Sequence, residues 1–209
     1  MTEPGPAVVW TRAAVQHVFA GVLLGRVEAV MAALDAGLPP STTFGCFGAT
    51  LLHWCFEHVN RNVLMHGVVL RLLASDCDPN ARDIKGVTPV HEACLSGNLE
   101  MVQAVVAAGG RLDSLNDSDE TPLFYAVISA IENAERWRLL QWLADCPDMD
   151  WWHRNWEGKT ALELAMSFRG GPGERCRVIA AAAMETQRER TARWTPLRAA
   201  FVGAVAVVS

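Results

Sequence analysis

The sequence predicts an all-α solenoid made by stacking pairs of short antiparallel helices. Three observations predict it. A threonine-led motif recurs at Thr50, Thr88, Thr121 and Thr160, with spacings of 38, 33 and 39 residues, so one unit is about 33 residues long and two carry insertions of 5 and 6. Each copy opens as a helix does: the threonine oxygen can cap free N–H groups, and Pro89 and Pro122 occupy the first helical position, where a missing donor costs nothing. Behind the best copy, Gly97 ends a short first helix, and "NLEMVQAVVAA" places apolar residues at 99, 101, 102, 105 and 106, the pattern of a second helix with one buried face. Two such helices cannot bury their apolar faces alone, so stability requires neighbouring copies.

Residues 86–117, "GVTPVHEACLSGNLEMVQAVVAAGGRLDSLND", are the clearest copy. They resemble the ankyrin repeat, whose pattern runs G-x-T-P-L-H-x-A-A-x-x-G, then an outer helix, then G-A-D-x-N-x-x-D. Gly86, Thr88, Pro89, Val90, His91, Ala93, Gly97, Val102, Gly109 and Asp113 fall at pattern positions, and "DCDPNARDIKG" before them matches the loop that follows an outer helix. The resemblance implies β-hairpin fingers between units. It divides the chain into an N-terminal extension (1–13) and a repeat domain (14–205), with units near 16–47, 48–85, 86–118, 119–157 and 158–192 and a partial one at 193–209. In the first of these, "LLGRVEAVMAALDAG" is the second half of a weaker unit beginning near Gln16; in the last, "WTPLRAAFVG" opens a sixth that the chain end cuts short.

Composition narrows the function. The net charge is −5 and no dense Lys/Arg block occurs, which disfavours nucleic acid, since phosphate neutralisation supplies most of that affinity. The N-terminus lacks the basic-then-apolar order of a signal peptide, and the longest apolar run, Ala199–Val208, spans about 15 Å as a helix, roughly half a bilayer core. An intracellular, cytoplasmic protein without a membrane partner is expected. The six cysteines contain no C-x-x-C pair and are expected to be free structural thiols.

Several stretches invite a chemical reading. His91, Glu92 and Cys94 lie within four residues, and His53 and Cys55 form a similar pair. By the resemblance, both histidines occupy the slot in which the ring braces the motif threonine and the next repeat. Cys55, Cys94 and Cys77 stand where alanine is usual. A zinc site needs four converging ligands, which one repeat of separation does not provide. "GKTALELA" at 158–165 imitates a P-loop end, but His153 stands where the first glycine belongs. The glycines of "RGGPGER" read as a surface turn. No cofactor, metal or catalytic group is expected. In "DWWHRNWEG", Trp151 and Trp152 are expected to pack against the insertion near 130–137, while Trp156 is open between packing and an interface.

The resemblance implies that a protein partner binds the concave face, on finger tips and exposed positions of the first helices. Transferred residue by residue, this surface comprises Phe47, Glu57, His58, Ile84, Lys85, Val87, Leu95, Ser96, Ile128, Trp156, Lys159 and Phe168. Its apolar members form a stripe of the kind that marks interfaces. The expected function is a non-catalytic adaptor or scaffold. The alternative is a structural subunit of a larger assembly (cytoskeletal, ciliary or ubiquitin-ligase), docking or self-associating through the apolar C-terminus and the Trp-rich finger.

Overall fold

A computed structural model describes residues 10–59, 65–133, 136–146, 149–167, 177–189 and 191. Eleven elements run in chain order: α1 (Arg12–Leu23), α2 (Val27–Asp35), β1 (Thr43–Phe44), β2 (Ala49–Thr50), α3 (Leu51–His58), α4 (Met65–Leu73), α5 (Pro89–Ser96), α6 (Leu99–Ala107), α7 (Pro122–Glu132), α8 (Trp137–Asp145) and α9 (Ala161–Met166). Residues 177–189 are also helical. First helices stack on first helices, α1 on α3, α3 on α5, α5 on α7 and α7 on α9; second helices stack likewise, α2 on α4, α4 on α6 and α6 on α8. The fold is the predicted all-α solenoid. Its core lies between the two helix layers, where Phe19, Phe56, Phe124, Leu51, Leu72, Leu139 and Leu143 are almost fully buried.

The threonines start the helices as expected. Thr50, Thr88, Thr121 and Thr160 are all N-caps in extended conformation. Gly97 ends α5 with φ +69°, a left-handed angle glycine adopts without strain. A Cβ there would also crowd Ser129 Oγ and the Arg136 side chain, which would have to shift.

One more threonine plays the same part. Thr11 caps α1, its hydroxyl accepting from Ala14 N at 3.3 Å, and it lies 39 residues before Thr50. The N-terminal unit therefore has its own first helix starting at Arg12, ahead of the expected start near Gln16. Arg12 in the proline slot and Ala14 in the histidine slot hid it.

The fingers share one device. The side-chain oxygens of Asp83, Asn116 and Asn155 each accept from the backbone N–H two and four residues on. This closes a turn whose positive-φ position is Gly86, Asp119 or Gly158. Successive fingers are stitched by main chain: Ile84 N donates to Phe47 O, Asp117 N to Lys85 O and Trp156 N to Ser118 O, at 2.9–3.1 Å. Only the finger at 43–50 forms strands among the described residues, pairing Thr43 with Thr50 and Phe44 with Ala49.

Candidate functional site

The motif histidines come first because they hold the site's frame. His53 Nδ1 accepts from Thr50 N at 3.1 Å and meets Thr50 Oγ1 at 2.8 Å; its Nε2 reaches Val87 O, in the next unit, at 3.1 Å. His91 repeats this with Thr88 (3.1 and 2.9 Å) and Glu120 O (3.1 Å). Each ring accepts at Nδ1 and faces a carbonyl with Nε2, so each is neutral with its proton on Nε2. Burial holds both below the usual histidine range, His91 at about 4. Cys55 and Cys94 are fully buried free thiols pushed upward by desolvation, Cys55 to about 12, far from the reactive thiolate range. Among the described residues no group of three or more His, Cys, Asp or Glu could hold a metal. No helix among them is long and apolar enough to cross a membrane.

The expected binding surface divides into three groups. Phe47 (46% exposed), Ile84 (62%) and Trp156 (68%) stand out from the fingers. Glu57 and Lys85 are exposed beside them, while Lys159 is half-buried and paired with Glu157 at 2.6 Å. Leu95 and Ile128 are only partly open, at the far end of α5 and α7. There α7 runs three residues longer than α5, and Arg136 folds back to donate to Ser129 Oγ at 2.8 Å, near Leu95 O. Phe168 and the apolar C-terminal run lie outside the described residues, so of the alternative docking site only the Trp-rich finger is described.

Three residues do not belong on that surface. His58 and Ser96 are buried (each 8% exposed), as is the equivalent Ser129. The reason is helical phase. Eight positions at about 100° each bring the eighth residue after the threonine to about 80°, beside the buried first position at about 100°. Ser96 bonds to Ala93 O and accepts from Asn98 N, joining the two helices of its unit. Val87 is 6% exposed, because its carbonyl is the acceptor for His53 and its N–H is held by Asp83.

A further position on the first helices, passed over by the sequence reading, is partly open. The fourth residue after the threonine, at about 40°, lies beside the seventh, at about 340°. Those fourth residues are Trp54, Glu92 and Tyr125. With the fingers they enclose a pocket of about 370 Å³ on α3 and α5. Phe47, Trp54 and Tyr125 supply aromatic walls, and Glu57, Asp83 and Glu92 supply carboxylates. Lys85 also lines it, with Nζ 5.5 Å from the centre of the Phe47 ring. Burial, then the charges of Glu57 and Asp83, raise Glu92 to about 7. The signal for this pocket was the i, i+3 relation between the fourth and seventh positions.

The Trp-rich finger is split. Trp151 is buried (3% exposed), as expected, and its backbone N–H donates to Gln187 Oε1 at 2.8 Å. Trp152 is 43% exposed, yet its indole donates to Met184 O at 3.1 Å. These bonds run to the helix at 177–189 and not to the insertion near 130–137.

Residues 61–150 match the model for ankyrin repeats, in three copies. Residues 61–150 are thus a stretch of ankyrin repeats. The chain's relatives include an ankyrin repeat-containing protein of Schizosaccharomyces pombe, 40% identical over 57 residues, which cover 27% of this chain and 28% of that protein. Cyclin-dependent kinase 4 inhibitor B of Bos taurus is 36% identical over 92 residues, 43% of this chain and 63% of the relative. The chain thus spans less than two thirds of either relative's length. Ankyrin repeats are in general protein–protein interaction modules, and a protein partner is the coarse expectation for this one.

Proposed function

We propose that this ankyrin array is a non-catalytic adaptor or scaffold that holds a protein partner on its finger and first-helix face, in the cytoplasm. One observation carries the reading: Phe47, Ile84 and Trp156 stand about half to two thirds exposed on fingers whose backbones are bonded to one another. Exposed apolar side chains on a rigid frame cost little entropy to dock, and tryptophan is enriched among residues that dominate binding energy. The similarity to a cyclin-dependent kinase 4 inhibitor adds support for a protein partner. Among the described residues the buried histidines bond to threonines and carbonyls and the buried thiols are held far above the reactive range, which favours binding over catalysis.

The test is affinity capture from the source cells with wild type and an Ile84→Arg/Trp156→Arg variant. Both substitutions fall on exposed side chains, so circular dichroism and the melting temperature should match. The expected result is loss of the specifically captured partner. An unchanged partner set would sink the reading.

A further inference from the structure

The pocket on α3 and α5 has more character than a general docking face needs. Its volume, about 370 Å³, lies at the low end for ligand pockets, about 300–1,000 Å³, and suits one long side chain. Glu57, Asp83 and Glu92 face it, and none of the three forms an ion pair among the described residues. Asp83 spends one oxygen on Lys85 N and Val87 N at 2.8 Å. The lysine that lines the pocket lies over the Phe47 ring, so one aromatic wall already holds a cation of this chain. Burial first, and then the charges of Glu57 and Asp83, raise Glu92 to about 7, and an incoming cation would offset the part due to those charges.

We infer that this pocket receives an arginine side chain of the protein partner, its guanidinium set among Glu57, Asp83 and Glu92 and against the Phe47, Trp54 and Tyr125 rings. Arginine fits better than lysine on two grounds. A planar guanidinium stacks on aromatic faces, and its five donors can serve carboxylates on several sides, whereas an ammonium is a compact, strongly hydrated point charge. An acidic or purely apolar side chain would leave the three carboxylates opposed or uncompensated. The inference rests on the proposed binding face and makes it specific: the exposed finger residues hold the partner's apolar side chains, and the pocket fixes register through one basic residue.

The experiment pans a random twelve-residue peptide library displayed on phage against the full chain. Selected peptides are then synthesised and their affinity measured by fluorescence. Arginine-containing peptides should be enriched. Replacing that arginine by citrulline, which keeps shape and removes charge, should weaken binding by at least about tenfold. A Glu57→Gln/Glu92→Gln variant, near-isosteric and checked by circular dichroism, should show a similar loss, and Lys85→Ala should tighten binding by about threefold as a competing cation leaves. Binders that lack arginine, or that are indifferent to citrulline and to the Glu→Gln changes, overturn the inference. If Ile84→Arg/Trp156→Arg still abolishes those binders, the binding face itself stands. If no peptide binds, both readings fall.

Discussion

His91 shows how much one side chain carries in this fold. It is fully buried, ties Thr88 to its own helix start and reaches across to Glu120 O in the next unit. Removing the ring leaves the buried Thr88 N–H without its partner, takes from Glu120 O the bond that crosses the units while Asn116 N still donates to it, and opens a cavity; an unmade buried bond alone costs about 1–3 kcal/mol. His91→Ala is therefore expected to destabilise the protein by about 3 kcal/mol, read as a lower midpoint in urea denaturation with the slope unchanged. Glu163 takes the same slot in the fifth unit, but there it is exposed, closing a local box in which it accepts from Thr160 N at 2.8 Å while Thr160 Oγ1 accepts from Glu163 N at 3.2 Å, and pairing at the surface with Arg154 at 2.8 Å. Glu163→Ala should cost about 1 kcal/mol, the usual worth of a cap. Equal losses at the two positions would show that the bridge between units contributes nothing beyond helix capping.

The histidine bridge is not present at every joint, and that grades the elements. Between the second, third and fourth units it is made by His53 and His91. At the next joint Phe124 fills the slot, and Thr121 Oγ1 is buried without a partner. In a stack where each unit contacts only its neighbours, the weakest interface opens first. Amide hydrogen exchange should therefore release α9 and 177–189 well before α3 and α5, and protection equal across them would refute this. Much of the architecture was legible in the chain, because Thr88, Pro89, His91 and Gly97 each mark a helix start, brace or end by simple chemistry. Thr11 was not, since its neighbours keep none of that punctuation. The pocket was half legible: Glu57 and Phe47 were found from finger and helix positions, but Trp54, Glu92 and Tyr125 needed the helical phase. His58 and Ser96 were misplaced for the same reason. The fold-back of Arg136 could not be read, because it depends on where a lengthened α7 delivers the chain.

At the scale of the molecule, two groups next to each other in sequence, the buried His91 and the partly buried Glu92, set opposing pH dependences. His91 is held at about 4, below the usual 6.5, so the unfolded chain takes up a proton that the native ring refuses as pH falls below 6.5. That contribution to stability is fully present above 6.5 and is lost as pH falls towards 4. His53, lowered in the same direction, adds to it. Glu92 is raised from 4.5 to about 7, so the native state keeps a proton that the unfolded chain releases. Its contribution is fully present below 4.5 and is lost as pH rises through 7. Between about 4.5 and 6.5 the Glu92 slope runs against the histidine slope, each worth about 1.4 kcal/mol per pH unit. Glu92→Gln removes one side of this balance. The variant should be more stable than wild type near pH 7.5 by about 2 kcal/mol and should lose about 2–3 kcal/mol between pH 6.5 and 4.5, while wild type changes much less. Urea midpoints taken across that range measure both curves. Parallel curves would mean that Glu92 ionises freely in the native state, and the pocket would then exert no strain on its own charge. The expected divergence would tie the molecule's acid stability to the carboxylate best placed to meet a partner's cation.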